Sequence, residues 1–326
     1  MQLDLIKVHG SENEFFILDE TLLERTLTEE ELVSLTKVVT NRSNGLLKGA
    51  DGVLLIGSAK RKDFGESMRV INYDGSEASM CGNGLRTVAR YLSEKNNQNE
   101  FTVETMHADL HVKKAEELGK DVQTFQVEIS PVSFNVHDLP FNWKFKTFID
   151  QKLPELAPNL RFSAVAVPNP HLISFVDHET LNSSQFEEIA KYLNGTNPYF
   201  PDGVNVSFVE ELGNQKIFVR TFERGVGFTN ACGTAMAASS LMYVLLKGGK
   251  VEEKIQVINP GGMVQTIVHQ EDNGSYWMDL IGNATFLNKI SISLEDILNQ
   301  QLTLATVTLL NEDKVYHKFI ESISTF

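Results

Sequence analysis

Short stretches in which apolar and polar residues alternate run along this chain, and four longer stretches carry helical spacing. Alternation of period two sends successive side chains to opposite faces, so it predicts half-buried, mainly antiparallel strands. Such strands are predicted over residues 3–8, 15–18, 53–56, 100–104, 124–129, 164–167, 173–176, 205–209, 254–257 and 264–269. Met68-Arg-Val-Ile71 and Val219-Arg-Thr-Phe222 read as two versions of one further strand. Helices are predicted over about 29–41, 82–94, 184–193 and 233–247. The first and third open on Thr28-Glu-Glu-Glu31 and Ser184-Gln-Phe-Glu187. Both fit the capping box, in which a hydroxyl and a carboxylate three residues on satisfy each other's free amides. The last helix is rich in Ala, Met, Leu and Ser on nearly every side, which puts it inside its domain. A Leu/Val/Thr run at 302–310 reads as one more strand with no place in this scheme.

The elements recur. Asp74-Gly-Ser-Glu-Ala-Ser-Met-Cys81-Gly-Asn-Gly leads into one helix, and Arg224-Gly-Val-Gly-Phe-Thr-Asn-Ala-Cys232-Gly-Thr-Ala into another. The two cysteines stand 151 positions apart, as do Asp51-Gly-Val and Asp202-Gly-Val. The stretch from Asn13 to Asp19 is echoed by that from His171 to Asp177, 158 positions on. Marks repeated in one order at about half the chain length imply two domains from a duplication rather than a solenoid. The expected architecture is α/β: two pseudosymmetric domains, each a mainly antiparallel sheet wrapped around a central helix. The first domain would span residues 1–150 and carry Cys81, and the second 151–286 and carry Cys232. Residues 151–159, with Pro154 and Pro158, read as a linker or loop. Residues 287–326 form an extension with no counterpart in the repeat.

Composition narrows the function. With 42% hydrophobic and 22% charged residues, the 326-residue chain is ordinary globular protein. A net charge of −14 argues against a nucleic-acid partner, which calls for clustered Lys and Arg. No apolar stretch reaches membrane-spanning length, and the N-terminus lacks a basic segment followed by an apolar core. With only two cysteines, the expectation is a reducing cytoplasm, no membrane and no structural disulfide. The partners expected are a small-molecule substrate and, at most, a second copy of the chain as a homodimer.

Both cysteines sit at the mouth of a helix, where amides and the helix dipole favour a thiolate. A redox dithiol would show Cys-x-x-Cys, which is absent. Zinc would need more ligands at close spacing, and none of His9, His107, His111 or His171 stands in such a pattern. A Cys–His nucleophile would leave the second motif unexplained. The remaining design uses both thiols: one takes a proton from a carbon and the other delivers one to the opposite face. Charge developing on an adjacent carboxylate would be held by amides at the two helix mouths.

At these residues the chain resembles the diaminopimelate epimerases. The resemblance covers residues 3 to about 286. It is carried by Lys7-Val-His9-Gly with Asn13, Asn72-Tyr-Asp-Gly-Ser-Glu, Cys81-Gly-Asn-Gly, Pro168-Asn-Pro-His171, Gly203-Val-Asn205, Glu223-Arg-Gly-Val-Gly and Cys232-Gly-Thr234. The family implies a site in the cleft between two pseudosymmetric domains, interconverting LL- and meso-2,6-diaminopimelate without cofactor or metal. Cys81 and Cys232 would be the acid/base thiols. Asn72, Gly82, Asn83, Gly233 and Thr234 would embrace the reacting end. Asn13, Asn169, Asn205 and Arg224 would read the distal amino-acid end, Arg224 by a two-pronged contact with a carboxylate. Glu223 would accept from an ammonium group, and His171 would support the site.

The chain departs from the family pattern at Glu12, where glycine is usual, at Phe228, usually acidic, and at Ala235, often glycine. Gly52 stands where some members carry a polar side chain. Three rival readings share the scaffold. A relative that isomerises through one acidic residue would not need both cysteines. A proline or hydroxyproline racemase would need no distal Asn/Glu/Arg set. A non-catalytic amino-acid sensor would bind without exchanging protons.

Overall fold

The computed structural model describes residues 1–61 and 65–323. Contacts divide the chain into two compact units: Met1–Val127 with the chain from Ile281 onward, and Glu128–Leu280.

In the first unit, β1 (Gln2–Gly10) and β2 (Asn13–Asp19) form a hairpin. Helix α1 (Glu29–Val39) follows, its N-terminus closed by the expected capping box of Thr28 and Glu31. Strand β3 (Gly52–Ser58) runs parallel to β2, and β4 (Glu66–Asn72) antiparallel to β3, with β5 (Glu77–Ala78) against β4. Helix α2 (Gly82–Asn96) comes next and ends on Asn97, whose φ of 53° is left-handed, as C-terminal caps often are. Strand β6 (Glu100–Glu104) returns parallel to β4, and β7 (Asp109–Lys114) and β8 (Thr124–Ile129) follow in antiparallel order.

The second unit repeats this. Strands β9 (Gln151–Leu153) and β10 (Ala157–Val167) pair, and β10 forms a hairpin with β11 (Asn169–Phe175). Helices α3 (His178–Leu181) and α4 (Ser184–Leu193) precede β12 (Asn205–Glu211), which is parallel to β11. Strands β13 (Lys216–Glu223) and β14 (Gly227–Thr229), helix α5 (Gly233–Lys247), and β15 (Lys254–Asn259) and β16 (Gly262–Gln270) copy the directions of β4 to β7. Strand β17 (Tyr276–Asn283) leads to β18 (Thr285–Ser293), α6 (Leu294–Leu298), β19 (Thr306–Leu309) and α7 (Asp313–Ile323).

Helix α5 is buried from Gly233 to Tyr243 and packs against β10, β11, β13 and β16, so its apolar circumference is matched by sheet on several sides. Helix α2 packs likewise against β1 to β4 and β7. Among the described residues, no helix is long and apolar enough to cross a membrane.

Several expectations change. The division falls at Val127/Glu128, not near residue 150, because Val136, Leu139, Phe141 and Phe148 pack into the second unit's core with Phe162, Phe186 and Phe208. The stretch 151–159 is no linker; β9 and the start of β10 run through it. The extension joins the first unit, since β18 pairs with β1 and β19 with β18, while Leu294 and Ile297 enter the core beneath α1. That also places the 302–310 strand. The second capping box does not form: Ser184 is the first helical residue, and the capping position belongs to Ser183, whose hydroxyl donates to the Thr180 carbonyl at 2.8 Å.

The duplication has no single offset. Phe15 pairs with Gly52 and His171 with Asn205, while Val53 pairs with Ile71 and Val206 with Phe222. Asn13 therefore matches Asn169, and Gly52 matches Asn205 rather than Gly203. The sheet fixes which residues lie level, whereas the loops between strands differ in length. Gly52 itself is enforced: a Cβ there would lie 2.4 Å from the Ile71 carbonyl oxygen.

Candidate functional site

Cys81 caps α2. Its backbone is extended (φ −142°, ψ 107°), which turns the thiol back over the first helical turn, where Sγ accepts from the Gly84 N–H at 3.3 Å. Ser, Thr, Asp or Asn usually fill such a position. A sulfur there receives the same amide and the same dipole.

Asn13 opens β2, and its Oδ1 accepts from the Cys81 S–H at 3.7 Å and from Asn83 Nδ2 at 3.3 Å. The orientation is fixed from behind. Asn13 Nδ2 donates to Asp51 Oδ2 at 2.6 Å, and that carboxylate can only accept, so Oδ1 must face the thiol. Asp51 is held in turn by the Glu14 N–H at 3.0 Å and by Arg42 at 2.7 Å.

Beneath these residues Arg86 is fully buried. Its three nitrogens donate to Asn83 Oδ1 at 3.0 Å, the Asn283 carbonyl at 3.1 Å and Ser11 Oγ at 3.1 Å. All three acceptors are neutral. Burial pulls this guanidinium down to about 10, while Tyr316 and Cys81 pull it back. Gly82 is the first residue of α2. Asn72 lies level with Gly52 at the end of β4, its amide donating to Ser76 Oγ at 3.0 Å. Asn13, grouped by sequence with a distal set, thus stands at the Cys81 thiol within its own unit.

Cys232 occupies the matching place on α5 but is buried. Its Sγ is 3.5 Å from Thr234 Oγ1. Burial and the nearby Glu223 carboxylate push this thiol well above its ordinary range, and the Thr234 hydroxyl and Ala235 amide offset only part of the effect. Glu223 ends β13 and accepts from the Thr229 hydroxyl on β14.

His171 Nε2 lies 3.1 Å from both Asn169 Oδ1 and Thr234 Oγ1, and its buried Nδ1 has no partner among the described residues. Asn169 Oδ1 can only accept, so Nε2 carries the hydrogen. Burial and the Arg224 charge push His171 down to about 3, which keeps it neutral. The unfolded chain protonates this ring near 6.5 and the folded chain only near 3, so stability is present above 6.5 and lost as pH falls toward 3. The expected loss is about 1.4 kcal/mol per pH unit within that window. Urea midpoints at pH 7, 6 and 5 should show it, and His171→Gln should flatten it; an unchanged slope would exclude His171 as its source.

Asn205 Oδ1 accepts from the Arg224 N–H at 2.9 Å. The Arg224 side chain is exposed, with its stem over Gly203, where φ is +74° and a Cβ would meet Arg224 Cγ at 3.1 Å. Asn169, His171, Thr234 and Cys232 are thus brought together by hydrogen bonds, as are Asn205 and Arg224. Gly233 is the first residue of α5.

The departures have local explanations. Glu12 has φ 63°, a conformation that favours glycine. Phe228 packs edge-on against Phe186 and Phe222, with the Arg220 guanidinium 4.3 Å above its ring. Ala235 is fully buried in α5. Sequence reasoning missed Arg86, Ser11 and Asn283, and read Asp51 only as a mark of the repeat. For Arg86 a signal existed in the arginine set among apolar positions of a helix predicted to be central.

The model of the family described as Diaminopimelate epimerase matches residues 5–131 and 163–286. A diaminopimelate epimerase of Enterococcus faecalis is 58% identical over 99% of this chain and 99% of its own length. One from Ligilactobacillus salivarius is 59% identical over 98% and 99%. A solved phenazine biosynthesis protein of the PhzF family from Bacillus anthracis shares the fold, with a TM-score of 0.62, 16% identity, and coverage of 90% of this chain and 99% of that one.

Proposed function

Because the chain belongs to the diaminopimelate epimerase family, we propose that it interconverts LL- and meso-2,6-diaminopimelate, one thiol withdrawing the α-proton and the other returning a proton to the opposite face. The observation that carries this reading is the matched placement of Cys81 and Cys232 at the N-cap positions of α2 and α5 in a repeated topology, Cys81 with a capping hydrogen bond and Cys232 without one. Their surroundings differ in the sense the chemistry needs. Cys232, buried and facing a carboxylate, rests as the thiol and is poised as acid. We assign the part of the base to Cys81, which accepts from the Gly84 amide at the mouth of α2.

The step balances with protons alone. Cys81 thiolate takes the α-proton, the C–H electron pair spreads into the carboxylate, and Cys232 gives its proton to the opposite face. The roles exchange in the return direction. Amides at Gly82–Asn83 and Gly233–Thr234 would hold the charged carboxylate, where donors act without rearrangement. Neutral His171 fixes the Thr234 hydroxyl and the Asn169 carboxamide. Exposed Arg224, with Asn205 on its own amide, offers a fork to the distal carboxylate, and Glu223 accepts from an ammonium group. Both cysteines are free, and we place the reaction in the cytoplasm, where they stay reduced.

Reduced enzyme with LL-diaminopimelate in D₂O tests this, with L-proline run in parallel. Deuterium at the α-carbon with meso product, and none in proline, is expected. Exchange into proline alone would move the chain to a proline racemase, and exchange into neither would leave binding without catalysis.

A further inference from the structure

The family match ends at residue 286, yet the chain beyond it reaches the Cys81 half-site. Helix α7 is docked at several points. Glu312, just before it, takes two hydrogen bonds from the Arg90 guanidinium and a third from the Phe286 N–H at 2.9 Å. Phe319 lies over Gly119, where a Cβ would come within 2.5 Å of the ring. Asp313 faces His9 Nε2 at 3.5 Å. Tyr316 is 1% exposed and sits edge-on to the His9 ring at 4.9 Å.

Ser11 and Glu12 form the turn between β1 and β2, and both are left-handed, with φ of 53° and 63°. Such residues persist only where their surroundings over-determine them. Here the Ser11 N–H donates to Asn283 Oδ1 at 2.8 Å, the Glu12 N–H to His9 Nδ1 at 3.1 Å, and Arg86 to Ser11 Oγ at 3.1 Å. Tyr316 packs on the His9 ring, whose Nδ1 accepts from Glu12 and so helps hold the turn. The next residue along is Asn13, at the Cys81 thiol.

We propose that α7 is a positioning element of the Cys81 half-site and that Tyr316 acts for it, locking the left-handed Ser11–Glu12 turn that presents Asn13 to the thiol. This rests on the reading of Cys81 as an acid/base thiol. Its action is indirect: it packs on His9, which holds the Ser11–Glu12 turn that leads into Asn13.

Tyr316→Leu keeps an apolar side chain and removes the ring that packs on His9. Three readouts apply to it: amide hydrogen exchange at Ser11 and Glu12, the iodoacetamide alkylation rate mapped to Cys81, and kcat and KM. Thermal unfolding serves as the control. Loss of the edge-on ring contact should speed exchange at the two amides about three- to tenfold while exchange in β12 and α5 stays unchanged. Cys81 alkylation should change by a similar factor, and kcat should fall more than KM rises. Tyr316→Ala should widen each effect. Unchanged exchange at Ser11 and Glu12 in Tyr316→Leu would overturn the proposal. So would faster exchange with unaltered Cys81 alkylation, or a lowered unfolding temperature alone, which is what a purely structural helix predicts. Exchange and alkylation need no substrate, so failure of the wild type to epimerise diaminopimelate would count against the proposed function and leave this test intact.

Discussion

Cys81→Ala and Cys232→Ala are each expected to lower LL/meso interconversion by at least about 10³-fold, the upper part of the range for loss of a general acid or base. Inversion needs a proton removed on one face and delivered on the other, so either deletion stops the cycle. The fold should tolerate both changes. Cys81 is only partly buried, and Cys232 touches Thr234 through a weak sulfur contact. Serine in either place keeps size and a hydroxyl, but an alcohol ionises far less readily than a thiol, so it is a far poorer proton donor and supplies almost no anion to act as base. Cys232→Ser should therefore retain exchange of the α-proton for deuterium through Cys81 while meso product nearly vanishes. Turnover near wild type in either alanine variant would end the two-thiol mechanism. Loss of folded protein in both would instead assign the cysteines to packing.

Arg86→Met is expected to slow both Cys81 alkylation at pH 7 and epimerisation by about ten- to a hundredfold, the range set by removing a nearby opposite charge. Its effect on stability should be far smaller than a buried arginine suggests. The guanidinium lies between Gly10 and Gly282, where a Cβ would come within 2.9 Å and 2.7 Å of it, and donates only to neutral groups. Removing it takes one donor from Asn83 Oδ1, Ser11 Oγ and the Asn283 carbonyl, at up to about 1–3 kcal/mol each, yet it also relieves the desolvation of a cation that donates to neutral acceptors. These effects oppose each other. A fold that keeps such a cation beside a thiol spends stability on reactivity. The matching position on α5, 151 residues on, is Ala237, so only the Cys81 side has this cation. Arg86→Lys keeps the charge without the fork and should fall between. If Arg86→Met leaves Cys81 reactivity unchanged, the guanidinium only fills space.

The features legible in the sequence were those whose cause is local. The two cysteines could be read as helix caps because capping depends on a few consecutive residues, and each helix follows a polar, glycine-containing turn. The alternation in β1 and β16 and the Thr28–Glu31 box were legible for the same reason. The repeat was legible as a pattern, but its register was not: loops of unequal length shift the sequence offset, and only the ladders show that Asn205 lies level with His171. Contacts between distant residues were beyond the sequence. Nothing along the chain says that Asn13 meets a thiol 68 positions away, that Arg86 is buried rather than solvated, or that Tyr316 returns to pack on His9. Unit boundaries belong with these, since β18 joins the first unit only by pairing with β1 at the other end of the chain. Local chemistry therefore determined which atoms can react. Their orientation and electrostatic setting were decided by tertiary structure, because hydrogen bonding, burial and charge depend on neighbours that folding brings from afar.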